Sequence, residues 1–254
     1  MKRLLLFSGG LDSYIAWHLL DKPTPIYFRL GHRYQEAEMT TMDRLEAENP
    51  GLQVKRDDRL YLGDKELPDA HLPLRNALLL TTAAAVYQPD IIYIGALRGE
   101  SSRDKSRRFF RNTGKQLSFL LGQRLVVQAP FIGHTKTDLV KAFLKKYPEG
   151  GDALRLTFSC YTYTIPHSRF KGCGRCMACF RRWVALSLNG IDETYAQNPW
   201  EWEQISALNW QAGLRAILKA DRQEWGNILV NNAQALRALR LQKHEISWST
   251  RRPF

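Results

Sequence analysis

Arg3-Leu4-Leu5-Leu6-Phe7-Ser8-Gly9-Gly10-Leu11-Asp12-Ser13 is the stretch that decides the fold. Residues 3–7 form a short apolar run of the kind that fills a parallel strand buried on both faces. The run stops at Ser8-Gly9-Gly10, and residues 13–20 read as a helix closed before Pro23. A glycine turn between a strand and a helix is where a mononucleotide fold places phosphates. Glycine lets the backbone approach an anion, and the helix N-terminus offers free N–H groups and a partial positive charge. Ser8 and Ser13 add hydroxyl donors. No Gly-Lys-Ser/Thr follows, so this is not a Walker A loop. The bland alternative is a tight turn with an Asp or Ser helix cap.

Outward from this loop, residues 25–30, 52–56, 91–94 and 125–128 read as strands. Residues 36–47, 76–87, 109–121 and 136–146 read as helices. Strands alternating with helices predict an α/β, Rossmann-like parallel sheet of about five strands with right-handed crossovers. Ligands of such sheets bind outside the carboxyl ends of the strands. The loops at residues 8–12, 31–34 and 95–108 are therefore expected on one face. The reading divides the chain into a nucleotide-binding α/β domain (1–150), a loop-rich zinc-binding segment ending in a helix at 177–189 (151–198), and a helical extension (199–254). Five of the seven tryptophans fall in that extension, at 200, 202, 210, 225 and 248. They are expected to pack a small helical unit, at residues 205–219 and 225–243, or a subunit interface. Stacking on bases is the alternative.

The chain has 254 residues, 44% hydrophobic and 24% charged, which allows a substantial core. No apolar run approaches the roughly 20 residues that span a bilayer. The basic start Met1-Lys2-Arg3 is followed by only four apolar residues, too few for a signal peptide, so a cytoplasmic, membrane-free protein is expected. The net charge of +12 fits a solubilising surface, an anionic substrate or a nucleic-acid partner.

The four cysteines, Cys160, Cys173, Cys176 and Cys179, lie within 20 residues, and the last three read C-x-x-C-x-x-C. A disulfide framework would spread its cysteines to staple distant loops. Thiols at this spacing converge on one ion, and tetrahedral zinc takes four ligands. Gly172 and Gly174 supply the tight backbone of a knuckle. Structural zinc is expected, with redox chemistry or an iron–sulfur cluster as alternatives, and His167 could replace Cys160 as a ligand.

Ser-Gly-Gly-x-Asp-Ser resembles the PP-loop of the ATP pyrophosphatase superfamily. Together with the cysteine knuckle, the chain resembles the 7-cyano-7-deazaguanine (preQ0) synthase family over about residues 3–197. The matching pieces are Gly31 and Arg33, Pro73-Leu74-Arg75-Asn76, Ile94-Gly95, Lys136 and Asp138, Ser159-Cys160-Tyr161, the knuckle from Cys173 to Cys179 with Arg182 and Ala185, and Gly190-Ile191-Asp192. The resemblance implies ATP with magnesium, ammonia and a 7-deazaguanine carboxylate as reactants. The carboxylate is adenylated and converted to an amide and then a nitrile, for queuosine or modified-DNA biosynthesis. It implies a homodimer and a Cys160, Cys173, Cys176, Cys179 zinc set. Ser8, Gly9, Gly10, Leu11, Asp12 and Ser13 would hold the pyrophosphate, with Asp12 orienting magnesium or the helix start. Arg33, Arg75 and Lys136 would contact ATP or the substrate anion, and Ser8, Asp12, Ser13, Arg75 and Lys136 form the candidate catalytic set.

Two segments depart from the family pattern. Leu30-Gly31-His32-Arg33-Tyr34 replaces the usual Tyr-Gly-Gln-Arg-His, and residues 98–109 replace a Tyr-Pro-Asp-Cys-Arg segment. The second replacement is basic, with Arg98, Arg103, Lys105, Arg107, Arg108 and Arg111 against Glu100 and Asp104. It reads as a solvated loop, a pyrophosphate clamp, or a surface for a nucleic-acid or protein partner. Two further readings follow. One keeps the adenylation but joins the deazaguanine to an amine on a macromolecule. The other is a nucleic-acid-binding module with a vestigial PP-loop.

Overall fold

The computed structural model describes residues 1–68, 70–98, 102–162, 171–197 and 199. Its strands are β1 (Arg3–Leu6), β2 (Thr24–Phe28), β3 (Lys55–Asp57), β4 (Ile91–Tyr93) and β5 (Val126–Gln128). All pair in parallel, in the order β3-β2-β1-β4-β5. Chain order runs away from β1 in both directions, so the topological switch lies between β1 and β4. A crevice opens there above the carboxyl ends of the strands.

The helices are α1 (Leu11–Leu19), α2 (Gln35–Glu48), α3 (Arg75–Tyr87), α4 (Arg107–Leu121), α5 (Lys136–Lys146), α6 (Gly151–Leu156) and α7 (Met177–Ser187). Successive strand residues face opposite ways. Leu5 packs with Ile15, Trp17, Met42, Val140 and Phe143 under α1, α2 and α5. Leu4 packs with Ile26, Ile92, Leu80, Phe110 and Leu117 under α3 and α4. The sheet is thus covered on both faces, as the apolar strand runs demand.

The segment expected to be loop-rich contains α6. Its six residues make too few turns for a helical period to show in the sequence. Leu154 of α6 and Ala185, Leu186 and Ile191, in and just after α7, belong to the same core cluster as α1 and α5. The cysteine-bearing segment therefore shares a core with α1 and α5. Arg182 ties α7 to α6 within that segment. Its guanidinium is 1% exposed and bonds both carboxylate oxygens of Glu193 (2.7 and 2.6 Å), Thr157 Oγ1 (2.7 Å) and the Leu154 carbonyl (2.9 Å). A buried cation is tolerated because each of these acceptors replaces a lost water. The expected helices at 205–219 and 225–243, and His167, lie outside the described residues. Among the described residues no helix is long and apolar enough to cross a membrane.

His18 on α1 sits among the rings of Tyr14, Trp17, Phe143 and Tyr147. Both of its ring nitrogens are buried without a partner. Burial, with the Lys22 and Lys146 ammonium groups nearby, holds its pKa down at about 4. The unfolded chain binds this proton from about pH 6.5 downward, whereas the folded chain resists it. Stability is therefore expected to fall as pH drops from about 6.5 toward 4. In His18→Phe, chemical denaturation across that range should show a shallower decline than in the wild type.

Candidate active site and metal centre

Ser8, Gly9 and Gly10 leave β1 at its carboxyl end and turn directly into α1. Gly9 has φ +68°, and a Cβ there would meet Met42 Cγ at 3.1 Å and Thr41 Cγ2 at 3.3 Å, both on α2. A Cβ on Gly10 would lie 3.2 Å from the Phe158 carbonyl oxygen. The Phe158 N–H in turn donates to the Gly9 carbonyl at 3.2 Å. The turn is closed from within. Ser13 Oγ donates to the Gly10 carbonyl (3.0 Å) and accepts the Ser8 N–H (3.3 Å), while Ser8 Oγ accepts the Gly10 N–H (3.4 Å). No side chain caps α1. The capping alternative for Asp12 and Ser13 therefore does not hold, and the leading amides of α1 are open to an anion. The Leu11 side chain is buried in the core, so only its backbone serves the loop.

Asp12 is held instead by Lys136, whose Nζ lies 2.5 Å from both carboxylate oxygens. Lys136 opens α5, where Thr135 and Asp138 form a capping box. Thr135 Oγ1 accepts the Asp138 N–H at 3.1 Å, and Asp138 Oδ2 accepts the Thr135 N–H at 3.1 Å. Asp138 thus builds the helix start, and the helix start aims Lys136 at the loop.

Two adjoining cavities open on this loop. The first, about 130 Å³, lies toward Arg98, Lys136, Phe158, Ser159 and Arg181. The second, about 210 Å³, runs between Ile26, Phe28, Leu30 and Ile94, with Arg75 and Asn76 of α3 on its wall. They share Ser8, Asp12, Ser13, Tyr34, Glu38 and Tyr161. The loops after β1, β2 and β4 thus meet on one face, as expected. The Arg75 guanidinium has no hydrogen-bond partner among the described residues and stands beside Tyr34, Tyr161 and Glu38. The Tyr34 and Tyr161 rings lie 5.5 Å apart.

Arg33 is not brought to either cavity. Its guanidinium pairs with Glu66 at 2.7 Å and donates to the Leu67 and Pro68 carbonyls. Its neighbours His32 and Tyr34 take the inward positions, 7% and 5% exposed, and leave it facing outward. The basic stretch is divided. Arg98 borders the first cavity and Lys105 the second. Arg107 and Arg111 join Lys115 and Arg124 around a separate groove along β5.

The sequence reading passed over Glu38. Its Oε2 accepts from the Tyr27 hydroxyl (2.8 Å) and contacts His32 Nε2 (3.1 Å), and its side chain is 14% exposed. Burial first, then the Glu38 charge, push the Tyr27 and Tyr34 hydroxyls well above their ordinary pKa, so both remain donors. The available signal was its place one turn beyond Tyr34, where α2 begins at the ligand face.

The four cysteine sulfurs lie within 4.8 Å of one another, and all four residues are buried. A tetrahedron of Zn–S bonds near 2.3 Å sets sulfurs about 3.8 Å apart, and Cys160 and Cys176 stand at 4.0 Å. Backbone and hydroxyl donors face these sulfurs, Arg175 N–H at 3.2 Å and Thr162 Oγ1 at 3.0 Å from Cys173. Such donors suit thiolates. Gly174 takes φ +73°, and a Cβ there would lie 1.8 Å from the Gln197 carbonyl oxygen, so no other residue fits. The set fits a closed four-thiolate metal site.

A family model described as "Queuosine biosynthesis protein QueC" matches residues 50–190. The chain is similar to the 7-cyano-7-deazaguanine synthase of Persephonella marina, 27% identical over 78% of this chain and 95% of that protein. It is also similar to that of Methanocaldococcus jannaschii, 27% identical over 76% of this chain and 97% of that one. The enzyme of Pseudoalteromonas atlantica is 24% identical over 80% and 99%.

Replacing Cys176 by Ser should abolish stoichiometric zinc, read by elemental analysis, and lower Tm by several degrees. Each kcal/mol lost is worth about 2–4 °C in a chain of this size. A colourless wild-type protein with one zinc per chain is expected. Visible absorbance with bound iron would overturn the zinc assignment.

Proposed function

The chain belongs to the QueC family, and from that premise we propose that it is an ATP-dependent 7-cyano-7-deazaguanine synthase. The reading rests above all on one observation: an uncapped helix N-terminus behind Ser8-Gly9-Gly10, flanked by Lys136–Asp12, serves two cavities at once. One cavity is available for the adenosine and the other for the substrate acid.

In this reading, a carboxylate oxygen of 7-carboxy-7-deazaguanine attacks the α-phosphorus of ATP. The bond to the β-phosphate breaks, and pyrophosphate leaves against the amides of residues 9–13. Those donors are already oriented, so they stabilise the developing charge without reorganising. Lys136 adds a cation at the same end. Magnesium would come with ATP, and Asp12 would be the carboxylate to hold it. Arg75, with no hydrogen-bond partner among the described residues, balances the substrate anion. Ammonia then displaces AMP from the acyl carbon to give the amide. A second adenylation on the amide oxygen, followed by loss of AMP, gives the nitrile. The Tyr34 and Tyr161 rings shield the adenylate from water. Zinc held by Cys160, Cys173, Cys176 and Cys179 would have its four ligands filled, so it would supply fold and not chemistry.

A second reading keeps the adenylation and passes the acyl group to an amine on a macromolecule. The groove bordered by Arg107, Arg111, Lys115 and Arg124 favours it, because it concentrates positive charge away from the ATP loop.

Purified protein given MgATP, ammonium and 7-carboxy-7-deazaguanine should yield AMP and the nitrile base by mass spectrometry. Lys136→Met should lower the rate by about 100-fold or more. AMP with no free amide or nitrile would favour the macromolecular acceptor, and no AMP at all would overturn both readings.

A further inference from the structure

Both halves of the proposed reaction release protons from the nitrogen on the acyl carbon, one in amide formation and two in nitrile formation, and the groups assigned so far offer no acceptor for them. We propose that Glu38 is that acceptor, an inference that rests on the synthase reading. Asp12 has both oxygens on Lys136 Nζ. Ser8 and Ser13 spend their hydroxyls inside the loop. The cysteine sulfurs face one another. Among the described residues that border both cavities, Glu38 is the carboxylate without a Lys or Arg ion pair; Arg75 acts on it through its charge alone.

Its setting is that of a positioned base. α2 packs its first turn on the phosphate loop, and the Glu38 carbonyl lies 3.4 Å from where a Gly9 Cβ would stand. Tyr27 from β2 and His32 from the following loop both address Oε2. His32 Nδ1 is buried without a partner. A buried lone pair is easier to leave unmatched than a buried N–H, so the ring carries its proton on Nε2 and donates it to Glu38. Two donors on Oε2 fix the carboxylate and fill that oxygen. Oε1 is left for the cavities that Glu38 borders. Tyr34, Tyr161 and Arg75 are the other titratable or charged groups facing it.

The steps balance. Ammonia's lone pair forms the C–N bond, Oε1 takes one N–H proton, and the C–O bond to AMP breaks, giving the amide. The second adenylation leaves the nitrogen as an iminium with two N–H protons; Oε1 takes the first, giving the neutral imidate, passes it to solvent, and then takes the remaining one. That electron pair becomes the third C–N bond, and the C–O bond to AMP breaks. Each proton then passes from Glu38 to solvent through the cavity mouth.

The test separates adenylation from the proton-releasing steps. In Glu38→Gln, pyrophosphate–ATP exchange dependent on the deazaguanine acid, measured without ammonia, should stay within about threefold of wild type. Amide and nitrile formation should fall by about 100-fold or more at an unchanged KM for ATP. Glu38→Asp keeps a carboxylate one methylene shorter and should recover part of the ammonia-dependent rate. If the Gln variant does not fold, as read by circular dichroism, the Asp variant carries the test: exchange intact and amide formation slowed. Wild-type nitrile formation in a folded Gln variant would overturn the assignment, and so would equal loss of exchange and amide formation. A wild-type protein that shows no exchange with the acid would overturn the synthase reading itself, a failure visible before any variant is made.

Discussion

The structure depends on the confinement of Gly9 and Gly10. The turn is pressed between α2 on one side and the Phe158 backbone on the other, with 3.1 to 3.3 Å to the nearest atoms that a methyl group would meet. A turn without side chains lets the chain leave β1 and enter α1 with its amides bare. The same closeness brings Glu38 from α2 and Ser159, Cys160 and Tyr161 from the cysteine arm to the N-terminal end of α1. One packing constraint thus recruits three parts of the chain, far apart in sequence, to one place.

The zinc arm follows from that constraint. Phe158 can lie against the loop only if what comes after it is held, and two devices hold it. The four clustered cysteines hold Cys160 against residues 173–179. The Arg182–Glu193 pair, 1% exposed on both sides, ties α7 to Thr157 and to Leu154, which packs in the core shared with α1 and α5. A buried ion pair is costly on its own. Here its hydrogen bonds are all met by groups that must be near one another, so it specifies an arrangement as much as it stabilises one.

Much of this was legible in the sequence, and the exceptions have physical reasons. β1, its glycine turn and α1 were readable because an apolar run, a glycine pair and a helical period succeed one another within 20 residues. The cysteine spacing announced a metal because chelation by neighbouring thiols is local. Lys136 was reached through the family resemblance; nothing local to it shows that its ammonium crosses to Asp12, 124 positions away. Arg33 was misplaced because sequence gives a residue's position without its direction, and His32 and Tyr34 occupy the inward side. Glu38 was passed over because it looks like any other acid on the exposed side of a helix. Its meaning comes from Tyr27 and His32, which only the fold brings to it. α6 was missed for brevity.

The central claim is that residues 8–13 are the phosphate cradle and that α2 and the zinc arm close around it. Amide hydrogen exchange, followed by mass spectrometry with and without MgATP, tests this most directly. The account predicts added protection at residues 9–13, with a second protected stretch at 158–161, where the Phe158 N–H already bonds the loop. Protection appearing elsewhere, with residues 9–13 exchanging at the same rate in saturating MgATP, would contradict it.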